Sequence, residues 1–191
     1  MTCRAWRAYN SAVETARVFV MKGRMWHLVP PLGRDTYVRG HGRLTMQLFG
    51  QITVIDGKGP EFDQGELLIW VNDAILLAPT MLLSPAASWT AVDDNSFDLA
   101  YSDGNQTVRA RVFLDEQGAP VDFHADRYAT LPAGIELMPW RTPVGGWQVL
   151  GNRPFPGDFS AVYDLADGPY SYIEGRFQPG SLAYNVDLQL T

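Results

Sequence analysis

Residues 63–78 read DQGELLIWVNDAILLA, and this stretch decides the fold. Asp63 and Glu66 have the spacing of a capping box, in which each side chain binds a free backbone amide of the first turn. The apolar residues of the stretch are Leu67, Leu68, Trp70, Val71, Ala74, Ile75, Leu76 and Leu77. They cover most of the helix circumference, so the pattern predicts a helix over 64–78 that is buried on more than one side. Pro79 then permits a new first turn through Leu83.

The rest of the chain reads as short strands separated by turns. Its 18 Gly and 13 Pro are spread along the sequence rather than gathered in one linker. The segment 44–55 alternates apolar and polar residues as a strand does, and we expect a bend at Gly50. Asp103-Gly104 is a two-residue hairpin signal. Similar turns lead to a last predicted strand at 182–190.

These elements predict an α+β fold that is mostly β. A sheet of about eight to ten antiparallel strands tends to curl. We therefore expect a strongly curved antiparallel sheet, a half-barrel, with the 64–78 helix packed on its concave side. No repeat or change of composition divides the 191 residues, which is an ordinary length for one domain. The prediction is a single domain, 1–191.

Composition and charge exclude several classes of protein. The formal charge of −6 and pI near 4.9 provide no positive field for nucleic acid. A single cysteine, Cys3, excludes an internal disulfide and a multi-thiolate zinc site. The N-terminus lacks the apolar run of a secretory signal, and the most apolar stretch, 67–83, is shorter than the roughly 20 residues of a membrane span. We expect a soluble, cytoplasmic protein without an integral membrane segment.

The polar motifs provide little support for catalysis. Asp122, His124 and Asp126 share one face of a predicted strand, where a metal or an oriented imidazole could be built, but a solvated face is the favoured interpretation. The glycines of Gly40-His41-Gly42-Arg43 lack the rest of a dinucleotide fingerprint and are better explained by a bulge or a close backbone approach. No nucleophile elbow occurs. We predict no catalytic residue, no metal site and no cofactor.

Asp73 is an acidic residue in a helix that is apolar nearly all round. A carboxylate there needs a partner, and Arg127 of a packed sheet could supply a bidentate one. A structural ion pair between helix and sheet is favoured over a ligand-binding pair.

The predicted strands carry more apolar side chains than one helix can cover, and this favours a hydrophobic pocket. The residues predicted to bind the ligand are Met21, Met25, Met46, Trp70, Asp73, Arg127 and Trp140. The function that follows is a non-catalytic binder or carrier of a lipid-like molecule. The alternatives are a structural or interaction module with a filled core, or an enzyme that uses Asp122, His124 and Asp126. The sequence does not indicate the oligomeric state or the ligand.

Scattered motifs resemble a known family. They are Asp35-x-Tyr37-x-x-Gly40-x-Gly42, Gly65-Glu66-Leu67, Pro79, Trp89, Phe123-x-Ala125-x-Arg127-Tyr128, Trp140, Gly151, Pro156 and Ala161. Over roughly residues 17–184 they resemble a bacterial family of uncharacterised proteins of unknown function. That family is similar to curved, half-barrel lipoprotein-carrier-like domains, in which a sheet wraps helices around an apolar cavity. The resemblance implies no established activity.

The chain departs from the family pattern at three places. Asp73 stands where Glu is expected, and Tyr163 stands where Trp is usual. Little chain precedes the first shared motif, whereas relatives are expected to begin with further strands or a membrane segment. Two explanations stay open: the chain is a compact soluble version of the family, or its native start lies upstream of Met1.

Overall fold

The computed structural model describes residues 2–11, 14–24, 30–131, 133–150, 153–178 and 183–184. Side chains are described for these residues except 2–9, 22–24, 150 and 153. Met25 therefore lies outside the described residues, as does the predicted strand 182–190 apart from 183–184.

The N-terminal part of the chain forms a five-stranded antiparallel meander, which we call the first sheet. Its strands are β1 (Thr2–Ser11), β2 (Ala16–Arg24), β3 (Pro31–Val38), β4 (His41–Leu48) and β5 (Ile52–Lys58). The prediction of one bent strand over 44–55 is wrong, because the chain reverses between β4 and β5. Phe49 and Gly50 have φ of 54° and 67°, so the glycine makes a tight turn rather than a bend.

The helix α1 spans Pro60–Leu77, and a 3₁₀ turn follows at Pro79–Leu82. The helix is confirmed, but its start was misplaced. Pro60 occupies the first helical turn after Gly59, where proline loses no hydrogen bond. The capping box is also wrong, because the N-cap residue is Gly59, which makes no side-chain cap hydrogen bond. Asp63 instead accepts a hydrogen bond from the backbone N–H of Gly42 at 2.6 Å.

The second sheet is a larger antiparallel one that follows the helix in the chain. The strands after the helix are β6 (Ala87–Asp93), β7 (Ser96–Asp103), β8 (Gln106–Leu114), β9 (Pro120–Leu131), β10 (Gly134–Arg141), β11 (Val144–Gly145), β12 (Gln148–Leu150), β13 (Arg153–Phe155), β14 (Asp158–Leu165) and β15 (Gly168–Arg176). The path of the sheet is β11-β14-β10-β9-β8-β7-β6, and β15 pairs with β14. Within the described residues, β12 and β13 pair only with each other. The predicted hairpin is confirmed, since Asp103 pairs with Gln106 around Gly104.

The helix packs between the two sheets and contacts β3, β4 and β5 on one side and β8 and β9 on the other. Leu67, Leu68 and Trp70 of the helix join Tyr37 and Phe123 of the sheets in one hydrophobic core. The α+β, mostly β class with antiparallel sheets and one main helix is thus confirmed, although the strands are divided between two sheets. Within the described residues, no helix combines the length and the hydropathy that a membrane crossing requires.

Candidate functional site

Two glycines allow the helix to lie directly on the first sheet. A Cβ at Gly42 would collide with the backbone carbonyl of Phe62, and one at Gly57 would collide with the Phe62 ring. Gly57 lies opposite Leu44, two residues along β4 from Gly42, so both glycines are on the helix-facing side. The predicted close backbone approach at Gly42 is confirmed, and it brings the side chains of β2 and β3 against the helix.

A buried charge cluster lies where the helix meets the first sheet, and Arg17 of β2 is its centre. The Arg17 Nε donates to Asp73 Oδ2 at 2.8 Å, and its NH1 donates to Asp35 Oδ2 at 3.2 Å. The same NH1 is 3.6 Å from Glu66 Oε2. Arg17 is only 5% exposed, so a single guanidinium links β2, β3 and the helix away from solvent.

The cluster extends to the second sheet through Arg127 of β9. The Arg127 NH2 lies 3.3 Å from Glu66 Oε1, and its NH1 donates to the Tyr163 hydroxyl at 2.7 Å. The guanidinium also lies 5.6 Å from the centre of the Trp140 ring, a cation–π distance. Glu66 is 1% exposed, and it contacts an arginine from each sheet, Arg17 and Arg127. We use "buried charge cluster" for Arg17, Asp35, Glu66, Asp73 and Arg127.

The predicted pair between Asp73 and Arg127 is wrong. Asp73 pairs with Arg17, and Arg127 pairs with Glu66. Glu66 and Asp73 are seven residues apart, which is two turns and about 10 Å along the helix. Arg127 is engaged at the Glu66 end, so the more distant carboxylate takes the arginine of the first sheet.

Burial and neighbouring charges together set the pKa values in the cluster. Burial raises the pKa of Glu66 well above its usual range, and the nearby Asp35 carboxyl adds to the shift. Burial alone would lower the pKa of Arg17, but Asp73, Asp35 and Glu66 outweigh it and raise the value. Burial likewise opposes the charge of Arg127, but Tyr172, Tyr163 and Glu66 raise its pKa. Both arginines are therefore charged, whereas ionised Glu66 is disfavoured.

Tyr163 and Tyr172 form the outer part of this environment. Burial raises the pKa of Tyr163, and burial raises that of Tyr172 to about 12. Their rings stack with centroids 5.2 Å apart. The Tyr163 hydroxyl donates to the backbone carbonyl of Tyr128 at 2.9 Å. Both phenols are thus neutral at physiological pH, and Tyr163 accepts the hydrogen bond of Arg127 without carrying a charge.

The two tryptophans of the predicted ligand site lie in the packed core. Trp70 is 0% exposed, and its Nε1 donates to the backbone carbonyl of Ser11 at 3.2 Å. Trp140 is 3% exposed and donates to the Tyr172 hydroxyl at 3.0 Å. Its ring meets Phe123 edge-on. The structure therefore places these residues apart from Met21 and Met46.

Met21 and Met46 belong to a different surface, at the end of the first sheet beyond the Phe62 contact. Met21 lies opposite Gly33, Gly33 opposite Met46, and Met46 opposite Ile55. Directly opposite residues share a face of the sheet. We call this surface the apolar end; its members are Met21, Gly33, Met46, Leu48, Ile52 and Ile55.

The polar residues Asp122, His124 and Asp126 of β9 lie on the face of the second sheet that is turned away from the helix. The His124 Nε2 is 2.9 Å from Asp122 Oδ2, and His124 is 45% exposed. His124 and Asp126 border an open groove of about 500 Å³. In the described part of the chain, no three His, Cys, Asp or Glu side chains are arranged to hold a metal ion.

Sequence reasoning missed Arg17 and Asp35 as members of a site and took Glu66 for a capping residue. A signal was present, because Arg17 shares its strand face with the apolar Phe19 and Met21. An arginine on an apolar face needs a buried carboxylate. Asp35 and Tyr37 share a face in the same way, and the Tyr37 hydroxyl donates to Asp103 at 2.6 Å.

Comparisons with known proteins add the family. Comparison with curated proteins and with solved structures found no match. A family model matches residues 1–175, and its description is a family of unknown function, DUF6544. The chain belongs to that family.

Proposed function

We propose that this member of DUF6544 binds an apolar, lipid-like ligand without catalysis, and that the ligand lies on the apolar end of the first sheet. The observation that supports this is the cross-strand register. Met21, Gly33, Met46 and Ile55 form a continuous row across four strands. A second row from Pro31 through Leu48 to Ile52 lies beside it.

The apolar end is on the helix side of the sheet but beyond the first helical turn. Gly42 and Gly57 contact Phe62, whereas Met46 and Ile55 lie further along the same strands. Ile55 is 40% exposed and Ile52 is 60% exposed, and Met21, Met46 and Leu48 are half-buried. Adjoining exposed apolar side chains are typical of a binding surface.

On β4 and β5, the opposite face of the sheet carries paired polar side chains, as expected for a face in water. There Arg43 pairs with Asp56, with 2.7 Å between Nε and Oδ1, and Gln47 donates to Thr53 at 3.3 Å. On these two strands, the paired apolar residues therefore lie on the helix side of the sheet and the paired polar residues lie on the other side.

The chemistry of the apolar end favours an acyl chain over a nucleotide. Gly33 has no side chain, and the terminal methyl of Met21 lies 3.0 Å from the position a Cβ would take there. Methionine is unbranched and adapts to ligands of different shape. The formal charge of −6 also disfavours polyanions.

The test is binding of a naphthalene sulfonate dye to the native protein, followed by displacement with a long-chain fatty acid or with ATP. We expect a micromolar dissociation constant, about −8 kcal/mol, and displacement by the fatty acid alone. Ile55→Glu places a charge in the apolar row and should weaken binding about tenfold or more. Thr53→Glu is the matched control on the polar face of the same strand and should bind as the wild type does.

Equal affinities of the two variants would overturn the proposed site. Dye fluorescence that rises only as the protein unfolds would overturn ligand binding itself. The second candidate, an interaction module with a filled core, would then be favoured. Its support is the packing of Trp70 and Trp140, each buried with a hydrogen-bond partner.

A further inference from the structure

The charges of the buried charge cluster do not sum to zero if every group is ionised. Arg17 and Arg127 supply two positive charges, whereas Asp35, Glu66 and Asp73 supply three negative ones. Arg17 is 5% exposed and Glu66 is 1% exposed. An uncompensated charge in such a place is costly, and a carboxyl group then takes up a proton instead.

Two oxygen atoms indicate where that proton lies. Within the described residues, Asp35 Oδ1 and Glu66 Oε2 are both buried and accept no hydrogen bond. The other oxygen of each carboxyl is occupied, since Asp35 Oδ2 accepts from Arg17 at 3.2 Å and Glu66 Oε1 accepts from Arg127 at 3.3 Å. Both carboxyl groups also face the same nitrogen, since Arg17 NH1 lies 3.2 Å from Asp35 Oδ2 and 3.6 Å from Glu66 Oε2. One proton between the two free oxygens would satisfy both.

We propose that Asp35 and Glu66 share one proton in the folded protein at neutral pH, and that this neutral acid pair locks the helix against the first sheet. Glu66 carries the proton on Oε2 and donates it to Asp35 Oδ1. The assignment follows exposure, because the Asp35 side chain retains 15% of its exposure and that of Glu66 only 1%. The cluster then contains two positive and two negative charges.

The charged and titratable groups around Glu66 agree with this arrangement. Asp35 of β3 disfavours its ionisation, whereas Arg127 of β9 and Arg17 of β2 favour it. Tyr163 of β14 and Tyr172 of β15 complete the surroundings and are neutral phenols. Asp73, on the same helix, pairs with Arg17, with 2.8 Å between Oδ2 and Nε, and so offsets part of the arginine's positive charge. Burial decides the balance and raises the pKa of Glu66.

The acid pair makes the junction sensitive to pH. In the unfolded chain Glu66 ionises near its ordinary pKa of 4.5, whereas in the folded protein it keeps its proton to higher pH. The unfolded state therefore binds fewer protons above that pH, and stability falls as pH rises. For one proton, the unfolding equilibrium constant increases by up to tenfold per pH unit until the folded-state pKa is reached.

Infrared spectroscopy tests the proposal directly, because a protonated carboxyl group has its own carbonyl stretching band. We expect this band in the wild-type protein at pH 7 and its loss in Glu66→Gln. The amide introduced by that substitution can donate to Asp35 and accept from Arg127, so the variant should fold. Asp35→Asn should also lose the band, because Glu66 can then ionise against the two arginines. Glu136→Gln, at an exposed position of β10, should keep it.

Urea unfolding from pH 5 to pH 9 supplies the second readout. Glu66→Gln should lose the part of the pH dependence that Glu136→Gln retains. Absence of the band from the wild-type protein would overturn the shared proton. A band that persists unchanged in both Glu66→Gln and Asp35→Asn would do the same, since the proton would then belong to another carboxyl group.

Discussion

Replacement of Arg17 tests whether the buried charge cluster holds the two halves of the protein together. Arg17→Met keeps the length and apolar stem of the side chain but removes the guanidinium. Asp73 loses its 2.8 Å partner and Asp35 its 3.2 Å partner. Breaking a buried ion pair from one side typically costs about 3–5 kcal/mol. Asp73 and Asp35 retain 19% and 15% of their side-chain exposure, so water screens part of the loss and we expect about 3–4 kcal/mol.

Urea denaturation at pH 7 measures this loss. With an m-value of about 2.5 kcal/mol/M, the midpoint should fall by about 1.2–1.6 M. Far-UV circular dichroism of the native baseline verifies that the variant starts from the same fold.

Arg111→Met is the matched control. Arg111 donates from Nε to Asp98 Oδ1 at 2.7 Å, so its ion pair is as short as that of Arg17 but lies on the surface. Exposed pairs contribute little to stability, and the midpoint should scarcely move. If Arg17→Met lowers the midpoint no more than Arg111→Met, the cluster does not hold the helix to the first sheet, and the reasoning is refuted.

Two further substitutions test the same junction. Asp73→Ala should lower the free energy of unfolding by about 1.5–3 kcal/mol, the range for a hydrogen bond to a charged group. This loss should be smaller than that of Arg17→Met, because Arg17 keeps Asp35 and Glu66 as partners. A urea midpoint as low as that of Arg17→Met would contradict this. Gly42→Ala should cost about 1–3 kcal/mol in thermal or urea unfolding, since its Cβ meets the Phe62 backbone, whereas Gly145→Ala, with no atom within 4 Å of the new Cβ, should be close to neutral.

The elements that have local causes were predictable from the sequence. The apolar run 67–77 predicted the helix because so many buried positions need a segment covered on several sides. Asp103-Gly104 predicted its hairpin because Gly104 supplies the positive φ, 58°, that the turn needs, although the two turn residues are Gly104 and Asn105. The division of the strands between two sheets was not predictable, because no local pattern records that β5 ends one sheet and β6 begins another. The helix start was missed for a related reason, since Gly59-Pro60 is typical of a turn as well as of a first helical turn.

The buried charge cluster shows which part of a buried ion pair can be predicted from the sequence alone. An acidic residue in an apolar helix requires a cation, and Asp73 has one. Which cation it takes depends on distances along the helix and on two sheets that are far apart in sequence. Glu66 lies at the end of the helix that meets Arg127, and Asp73 lies two turns further on, where Arg17 reaches it. Residue type and spacing therefore predict that a buried carboxylate is paired, and the packing of both sheets on one helix decides the partner.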